Sequence, residues 1–111
     1  MADQELEMAA YILFDNLEVR DSARLAAYKA GAAEVVQRYQ GRYAVLGGPA
    51  AILEGNWAPA YPVMLEFPSA ELARRWYTSS EYRPLKELRL SAVRSSAVLL
   101  EGHGAIEATG R

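Results

Sequence analysis

The chain has 111 residues, 51% of them hydrophobic, which fits a single domain with a packed core and excludes a disordered protein. The formal net charge of −2 and the lack of a basic excess argue against nucleic-acid binding. The absence of cysteine excludes disulfides, thiolate nucleophiles and zinc–thiolate sites, and the sequence has no run of about 20 apolar residues that would cross a membrane.

The first part of the chain predicts a strand followed by a helix. Residues 1–9 are predicted to be a flexible tail without a secretory signal, so we expect a cytoplasmic protein. The apolar run Ala9–Leu17 is rich in aromatic and β-branched residues and predicts a buried strand. Asp21 and Ser22 can cap a helix of about four turns, and Gly41 is predicted to end it in the left-handed conformation.

Two more strands are predicted in the middle of the chain. They cover Arg42–Leu46 and Tyr61–Phe67, and a connection rich in turn-forming residues joins them. Within that connection, Ala51–Leu53 is predicted to resume the strand briefly. Ser69 then follows as the cap of a second helix.

The last part of the chain predicts a short helix at about 81–90 and a fourth strand at 92–101. The order of elements is therefore β-α-β-β-α-β. This order predicts an α+β, ferredoxin-like domain over residues 10–102, with a four-stranded antiparallel sheet and both long helices on one face. Residues 103–111 are predicted to be a C-terminal tail.

Polar residues near the C-terminus give no recognisable catalytic or metal-binding motif. His103 is the only histidine and lies between two glycines, so we interpret it as an exposed tail residue rather than a metal or haem ligand. We expect no metal and no cofactor. Six basic residues are interleaved with glutamates, a pattern typical of a solvated helix surface: Arg74, Arg75, Arg83, Lys86, Arg89 and Arg94.

The outer strands predict a homodimer. In the first strand, Tyr11 and Leu13 point to one face of the sheet while Ile12 and Phe14 point to the other, so both faces are apolar. The fourth strand has the same property. A sheet that is exposed to water on one side normally alternates apolar with polar residues. Because no segment of the chain is left to cover the second face, we expect a second copy to cover it, sheet against sheet.

Several short stretches occur in a characteristic order over residues 10–102: Tyr39–Tyr43, Gly47-Gly48, Leu53–Trp57, Met64–Ser69, Trp76-Tyr77, Ser80–Tyr82, Arg89 and Leu100–Gly102. Together they resemble the DUF1330 family of small bacterial proteins, within the dimeric α/β-barrel superfamily. The resemblance implies a ferredoxin-like fold and a dimeric barrel, but no settled activity. Wider relatives include cofactor-independent monooxygenases, polyketide cyclases, haem proteins and isomerases.

The chain also departs from that family's pattern. Family members usually carry basic residues at and just before the position of Tyr61, and often an arginine near the position of Leu46. This chain has Ala58, Ala60, Tyr61 and Leu46 at those places, and none of them is basic. The resemblance therefore implies that this protein prefers an apolar or aromatic ligand to an acidic one.

Glu66 is the candidate catalytic residue. Strand alternation places it with Met64 on the face away from the helices, in the space that a dimer would enclose. A carboxylate in such a space is costly unless it is paired, and Arg42 on the neighbouring strand is the expected partner. The two residues form either a general acid/base site or a structural ion pair.

The candidate ligand-binding residues are four side chains expected to line the same space: Tyr11, Tyr61, Leu46 and Met64. The tyrosines offer ring walls and phenolic hydrogen-bond donors, although plain packing would also explain them. Three functions remain open. The protein is a cofactor-independent isomerase, cyclase or monooxygenase acting on a small apolar or aromatic metabolite, a non-catalytic binding protein for such a ligand, or a purely structural dimer.

Overall fold

The computed structural model describes residues 8–104, which form four strands and three helices. The predicted tails fall mostly outside the described residues. The elements are β1 (Ala10–Val19), α1 (Ser22–Arg38), β2 (Arg42–Leu46), β3 (Pro62–Phe67), α2 (Ala70–Thr78), α3 (Arg83–Ala92) and β4 (Val93–Glu101). None of the three helices in this part of the chain has the length and apolarity that crossing a membrane requires.

The four strands form one antiparallel sheet in the order β2-β3-β1-β4. Helices α1 and α3 pack side by side, and α2 packs against β1 and β4. This arrangement confirms the predicted α+β, ferredoxin-like fold. The connection between β2 and β3 has no regular secondary structure, so the predicted strand extension at Ala51–Leu53 is wrong.

The helix caps are those that the sequence predicts at the N-termini. The Asp21 side chain accepts a hydrogen bond from the Arg24 backbone N–H at 3.0 Å, and Ser69 caps α2 in the same way. At the C-terminus of α1 the left-handed residue is Gln40, with φ 67°, and not Gly41 as predicted. A side chain at Gly41 would meet the Phe67 ring at 2.5 Å, so close packing requires this glycine.

The hydrophobic core lies between the sheet and the helices. It contains the inward-facing residues of β1 and β3 together with Trp76 and Tyr82, whose ring centroids are 4.1 Å apart. Both rings are fully buried. Aromatic rings in contact add stability beyond the burial of their apolar area.

The opposite side of the sheet is here called the open face, and its central members are Tyr11, Leu13, Met64, Glu66, Val98 and Leu100. Val98 is 50% exposed and Leu100 is 45% exposed, because no described segment covers them. The predicted alternation of β1 and β3 is therefore confirmed. The predicted dimer stays a prediction, since the structure is that of a single chain.

An irregularity in β2 changes the direction of one predicted site residue. The register between β2 and β3 shifts between Tyr43 and Val45, so that Val45 pairs with Met64 and Leu46 pairs with Val63. Val63 faces the helices, and Leu46 consequently turns to the helix side of the sheet. The prediction that Leu46 lines the space beside Glu66 is wrong for this reason.

Candidate functional site

Three of the predicted site residues meet at one end of the open face. Arg42 Nε donates to Glu66 Oε1 at 2.6 Å, and the Tyr11 hydroxyl donates to Glu66 Oε2 at 3.2 Å. The strand register explains the contact, because both Tyr11 and Arg42 are directly opposite Glu66. The Glu66 side chain is 2% exposed, whereas that of Arg42 is 63% exposed.

Both carboxylate oxygens of Glu66 therefore accept hydrogen bonds from neighbouring strands. This geometry is that of an ion pair that ties β2 and β1 to β3. Met64 lies on the same face, opposite Leu13. The catalytic role of Glu66 and Arg42 and the ligand contacts of Tyr11 and Met64 stay predictions.

Leu46 and Tyr61 lie elsewhere, on the helix side of the sheet. They border a cavity of about 40 Å³ at the opposite end of the strands from Glu66, beneath helices α1 and α3. We call it the helix-side cavity, and the residues relevant to its chemistry are Asn16, Tyr28, Tyr43, Leu46, Tyr61 and Arg89. The periodicity of the strands and helices does not predict this cavity.

Arg89 is the most unusual residue of the helix-side cavity. It is only 3% exposed, and its guanidinium carbon lies 4.8 Å from the centroid of the Phe14 ring. Its Nε donates to the Tyr82 hydroxyl at 3.3 Å and its Nη1 donates to Ser95 Oγ at 2.8 Å. Among residues 8–104, no carboxylate forms an ion pair with it.

The charge of this buried arginine is retained. Burial lowers the pKa of Arg89, but the charge interaction and hydrogen bond with Tyr82, together with the charge interactions with Tyr28 and Tyr77, outweigh burial and bring its pKa above the ordinary value. Two of the guanidinium nitrogens are engaged by neutral hydroxyls, which leaves N–H donors available for a further acceptor. The cavity therefore presents a cation without an anion.

The assignment of Arg89 to a solvated helix surface is wrong. The spacing of the residues around Arg89 indicates that it is buried. The positions concerned follow one another at intervals of three, four and three: Tyr82, Leu85, Arg89 and Ala92. Those positions form a single stripe that faces the core. An arginine on such a stripe is buried by its neighbours even though basic and acidic residues surround it in sequence.

Tyr28 adds a neutral donor to the same cavity. Its hydroxyl is 3.0 Å from that of Tyr82, and either oxygen can be the donor. Burial first, and then the Tyr82 hydroxyl, raise the pKa of Tyr28 far above its ordinary value of 10.0, and burial also raises the pKa of Tyr43. Tyr28 therefore stays protonated at neutral pH. When Tyr82 donates to Tyr28, the Tyr28 proton is free for a ligand.

The raised pKa of Tyr28 predicts a loss of stability at alkaline pH. Above pH 10 the unfolded chain releases this proton while the folded chain keeps it, so the free energy of unfolding falls as pH rises. One proton contributes a slope of up to about 1.4 kcal/mol per pH unit, and the contribution is complete below pH 10. We expect Tyr28→Phe to reduce this slope in urea unfolding between pH 9 and 11. Equal slopes in both proteins would contradict the prediction.

Tyr61 is held at the border of the cavity by three contacts. Asp15 Oδ1 accepts hydrogen bonds from the backbone N–H groups of Ala60 at 2.9 Å and Tyr61 at 3.1 Å. Gly47 has φ +68°, and a side chain there would meet the Tyr61 ring at 2.3 Å. The Lys29 ammonium lies 5.0 Å from the centroid of that ring. These contacts fix the aromatic wall of the cavity.

Comparison with solved structures shows the same fold in proteins of low sequence identity. A protein of unknown function from Rhodopseudomonas palustris is 20% identical and has a TM-score of 0.68 over 86% of this chain and 82% of its own. SnoaB, a cofactor-independent oxygenase from Streptomyces nogalater, is 14% identical, with a TM-score of 0.57 over 91% and 97% of the two chains. A proposed antibiotic biosynthesis monooxygenase from Nitrosomonas europaea is 13% identical, with a TM-score of 0.50 over 95% and 96%.

These similarities establish the fold and leave the activity open. A comparison with curated proteins finds no match. The model of a domain of unknown function, DUF1330, matches residues 9–103, which is most of the chain. The matched range includes the residues of both the open face and the helix-side cavity. The chain therefore belongs to the DUF1330 family.

Proposed function

We propose that the helix-side cavity binds a small aromatic or enolisable molecule and stabilises its anion. The observation that carries this proposal is Arg89, a guanidinium that is 3% exposed and has no carboxylate partner among residues 8–104. An isolated charge is costly to bury, and the cost is offset when an opposite charge enters the same site. A ligand oxyanion supplies that charge.

The proposed chemistry is transfer of a proton from an acidic C–H or O–H group of the ligand to hydroxide or a base in the solvent, because no carboxylate or histidine among residues 8–104 lines the cavity, and it uses no bound cofactor. Arg89 and the protonated Tyr28 hydroxyl would donate hydrogen bonds to the oxygen on which negative charge develops. Preorganised donors of this kind are a large source of catalysis in a dry site. Isomerases, cyclases and cofactor-independent monooxygenases all pass through such an anion, and the fold of SnoaB is consistent with the last of these.

Two other functions are consistent with the same fold. A binding protein would use the helix-side cavity to hold the anion without turning it over. A purely structural dimer would use neither the cavity nor the Glu66 cluster. The charge of Arg89, which has no carboxylate partner among residues 8–104, favours the first two functions over the third, because burying such a charge is costly in a protein that binds no anion.

We also propose that the chain forms a homodimer through the open face. The apolar side chains of Val98 and Leu100 on β4 remain about half exposed, and Val45 on β2, at the other edge of the same face, is 37% exposed. Contiguous apolar surface of this kind marks an interaction site. Face-to-face packing of two such sheets would bury the surface and enclose the cluster of Glu66, Arg42 and Tyr11.

Absorbance of 4-nitrophenol tests the proposed anion site, because only its phenolate absorbs strongly in the visible range. At a pH where about half of the phenol is ionised, adding the wild-type protein should increase the phenolate signal. Arg89→Met should abolish the increase, because a charge-assisted hydrogen bond is worth about 10- to 100-fold in affinity. Arg42→Gln is the matched control and should behave as wild type.

The outcomes separate the two candidate sites. Loss of the signal in Arg42→Gln with retention in Arg89→Met would assign the anion site to the Glu66 cluster instead. Exchange of the α-hydrogen of 2-tetralone in D₂O, followed by NMR, then distinguishes an enzyme from a binding protein. Exchange above the solvent background that depends on Arg89 is expected for the enzyme.

A further inference from the structure

Asn16 also lines the helix-side cavity, and its side chain has a polar atom without a hydrogen-bond partner among the described residues. It lies near the end of β1, opposite Ser95, and its backbone N–H donates to the Tyr61 carbonyl at 3.2 Å. Its side-chain Oδ1 is buried and accepts no hydrogen bond from the described part of the chain. Buried polar atoms without a partner are rare in folded proteins, and each requires an explanation.

The size of the cavity limits what can satisfy this acceptor. Its volume of about 40 Å³ is room for about three water molecules, or for a similar number of oxygen atoms on the polar edge of one ligand. Leu46, which is 59% exposed, lies on the solvent side of the cavity. A larger ligand would therefore place a polar head inside, with its ring between Leu46 and Tyr61.

The Arg89 guanidinium and the Asn16 side-chain oxygen are chemically complementary to different parts of one ligand. Arg89 has spare N–H donors and a positive charge, which suit an ionised oxygen. Asn16 Oδ1 suits an O–H or N–H donor. Because both residues line the same small cavity, the two ligand groups must lie close together.

We infer that the ligand is a small aromatic acid that carries an ionised oxygen and, one or two ring carbons away, a hydrogen-bond donor. This inference rests on the proposed function and adds the substrate class to it. It replaces the expectation of a ligand that is not acidic, because Arg89 places a buried positive charge at the cavity. Asn16 is a specificity-determining residue in this scheme. It distinguishes a hydroxylated or aminated acid from the same acid without the donor, because a site built to bond a hydroxyl rejects analogues that lack it.

The test is isothermal titration calorimetry with 3-hydroxybenzoate, 3-methoxybenzoate and benzoate. Wild-type protein should bind 3-hydroxybenzoate about tenfold more tightly than its methyl ether, the factor that one hydrogen bond supplies. Asn16→Ala should reduce this preference to less than twofold while benzoate affinity changes little. Asn56→Ala, the same substitution in the exposed β2–β3 connection, should keep the preference.

A second variant distinguishes the loss of this one hydrogen bond from a general loss of structure. Asn16→Asp keeps an acceptor but adds a negative charge beside the bound oxyanion, so it should weaken the binding of all three acids. Equal binding of the hydroxy and methoxy acids by the wild-type protein would overturn the role of Asn16 and leave the Arg89 site standing. Absence of binding of every acid would overturn both the inference and the proposed function.

Discussion

Replacing Arg89 with methionine is expected to raise the free energy of unfolding by about 1 kcal/mol or more while it abolishes anion binding. The guanidinium is buried without a carboxylate among the described residues, so the folded chain bears the cost of removing a charge from water. Methionine is similar in length, is flexible and fills irregular space. Tyr82 keeps its contact with Tyr28, and Ser95 is partly exposed and can bond to water.

Urea unfolding at neutral pH measures this effect, with the midpoint and the slope fitted separately. Arg75→Met is the matched control, because Arg75 is 65% exposed and its one ion pair within residues 8–104 is with Glu71, one turn away at 3.1 Å. Its effect should lie within about 0.5 kcal/mol of zero. A loss of about 3 kcal/mol or more in Arg89→Met would mean that Arg89 holds the fold together, and the functional assignment would fall.

Introducing a charge on the open face is expected to dissociate the proposed dimer. Val98 is 50% exposed in the single chain, so Val98→Glu places the carboxylate in water and leaves the fold of the monomer intact. In a two-fold symmetric interface the substitution appears twice, and burial or apposition of the two charges costs several kcal/mol. The dimer dissociation constant should rise at least about 100-fold.

Sedimentation equilibrium over a range of protein concentrations measures the dissociation constant. Leu90→Glu on α3 is the control, because Leu90 is 54% exposed and lies outside the open face. It makes an equally polar change and should leave association unchanged. A Val98→Glu protein that associates as tightly as wild type would show that the open face is not the interface.

The two candidate sites differ in how far the sequence predicts them. Strand alternation places Glu66 on the open face, and the pairing with Arg42 follows from the order of the strands. The alternation rule works there because each strand is regular at that end. At the other end the register shift after Tyr43 reverses Leu46, and a shift of one residue cannot be recognised from a five-residue strand.

The helix-side cavity depends on contacts between residues far apart in the chain. Arg89 reaches Tyr82 seven residues earlier, Tyr28 reaches Tyr82 across 54 residues, and Asp15 holds the backbone of Tyr61 across 46. Periodicity predicts which face of a helix is apolar, but not which side chain of another element will meet it. The convergence of these groups on one cavity is therefore a property of the packing alone.

The order of the elements, their bounds to within a few residues, two helix caps and the apolar character of both sheet faces are all predictable from the printed sequence. These features depend on neighbours within a few positions or on periods of 2 and 3.6 residues, which are visible in the printed sequence. The burial of Arg89 without a carboxylate partner among residues 8–104, and the place of Asn16 in the lining of the same small cavity, are visible only in the folded structure. Burial of a charge depends on how helices and sheet close over it, and that information is distributed over the whole chain.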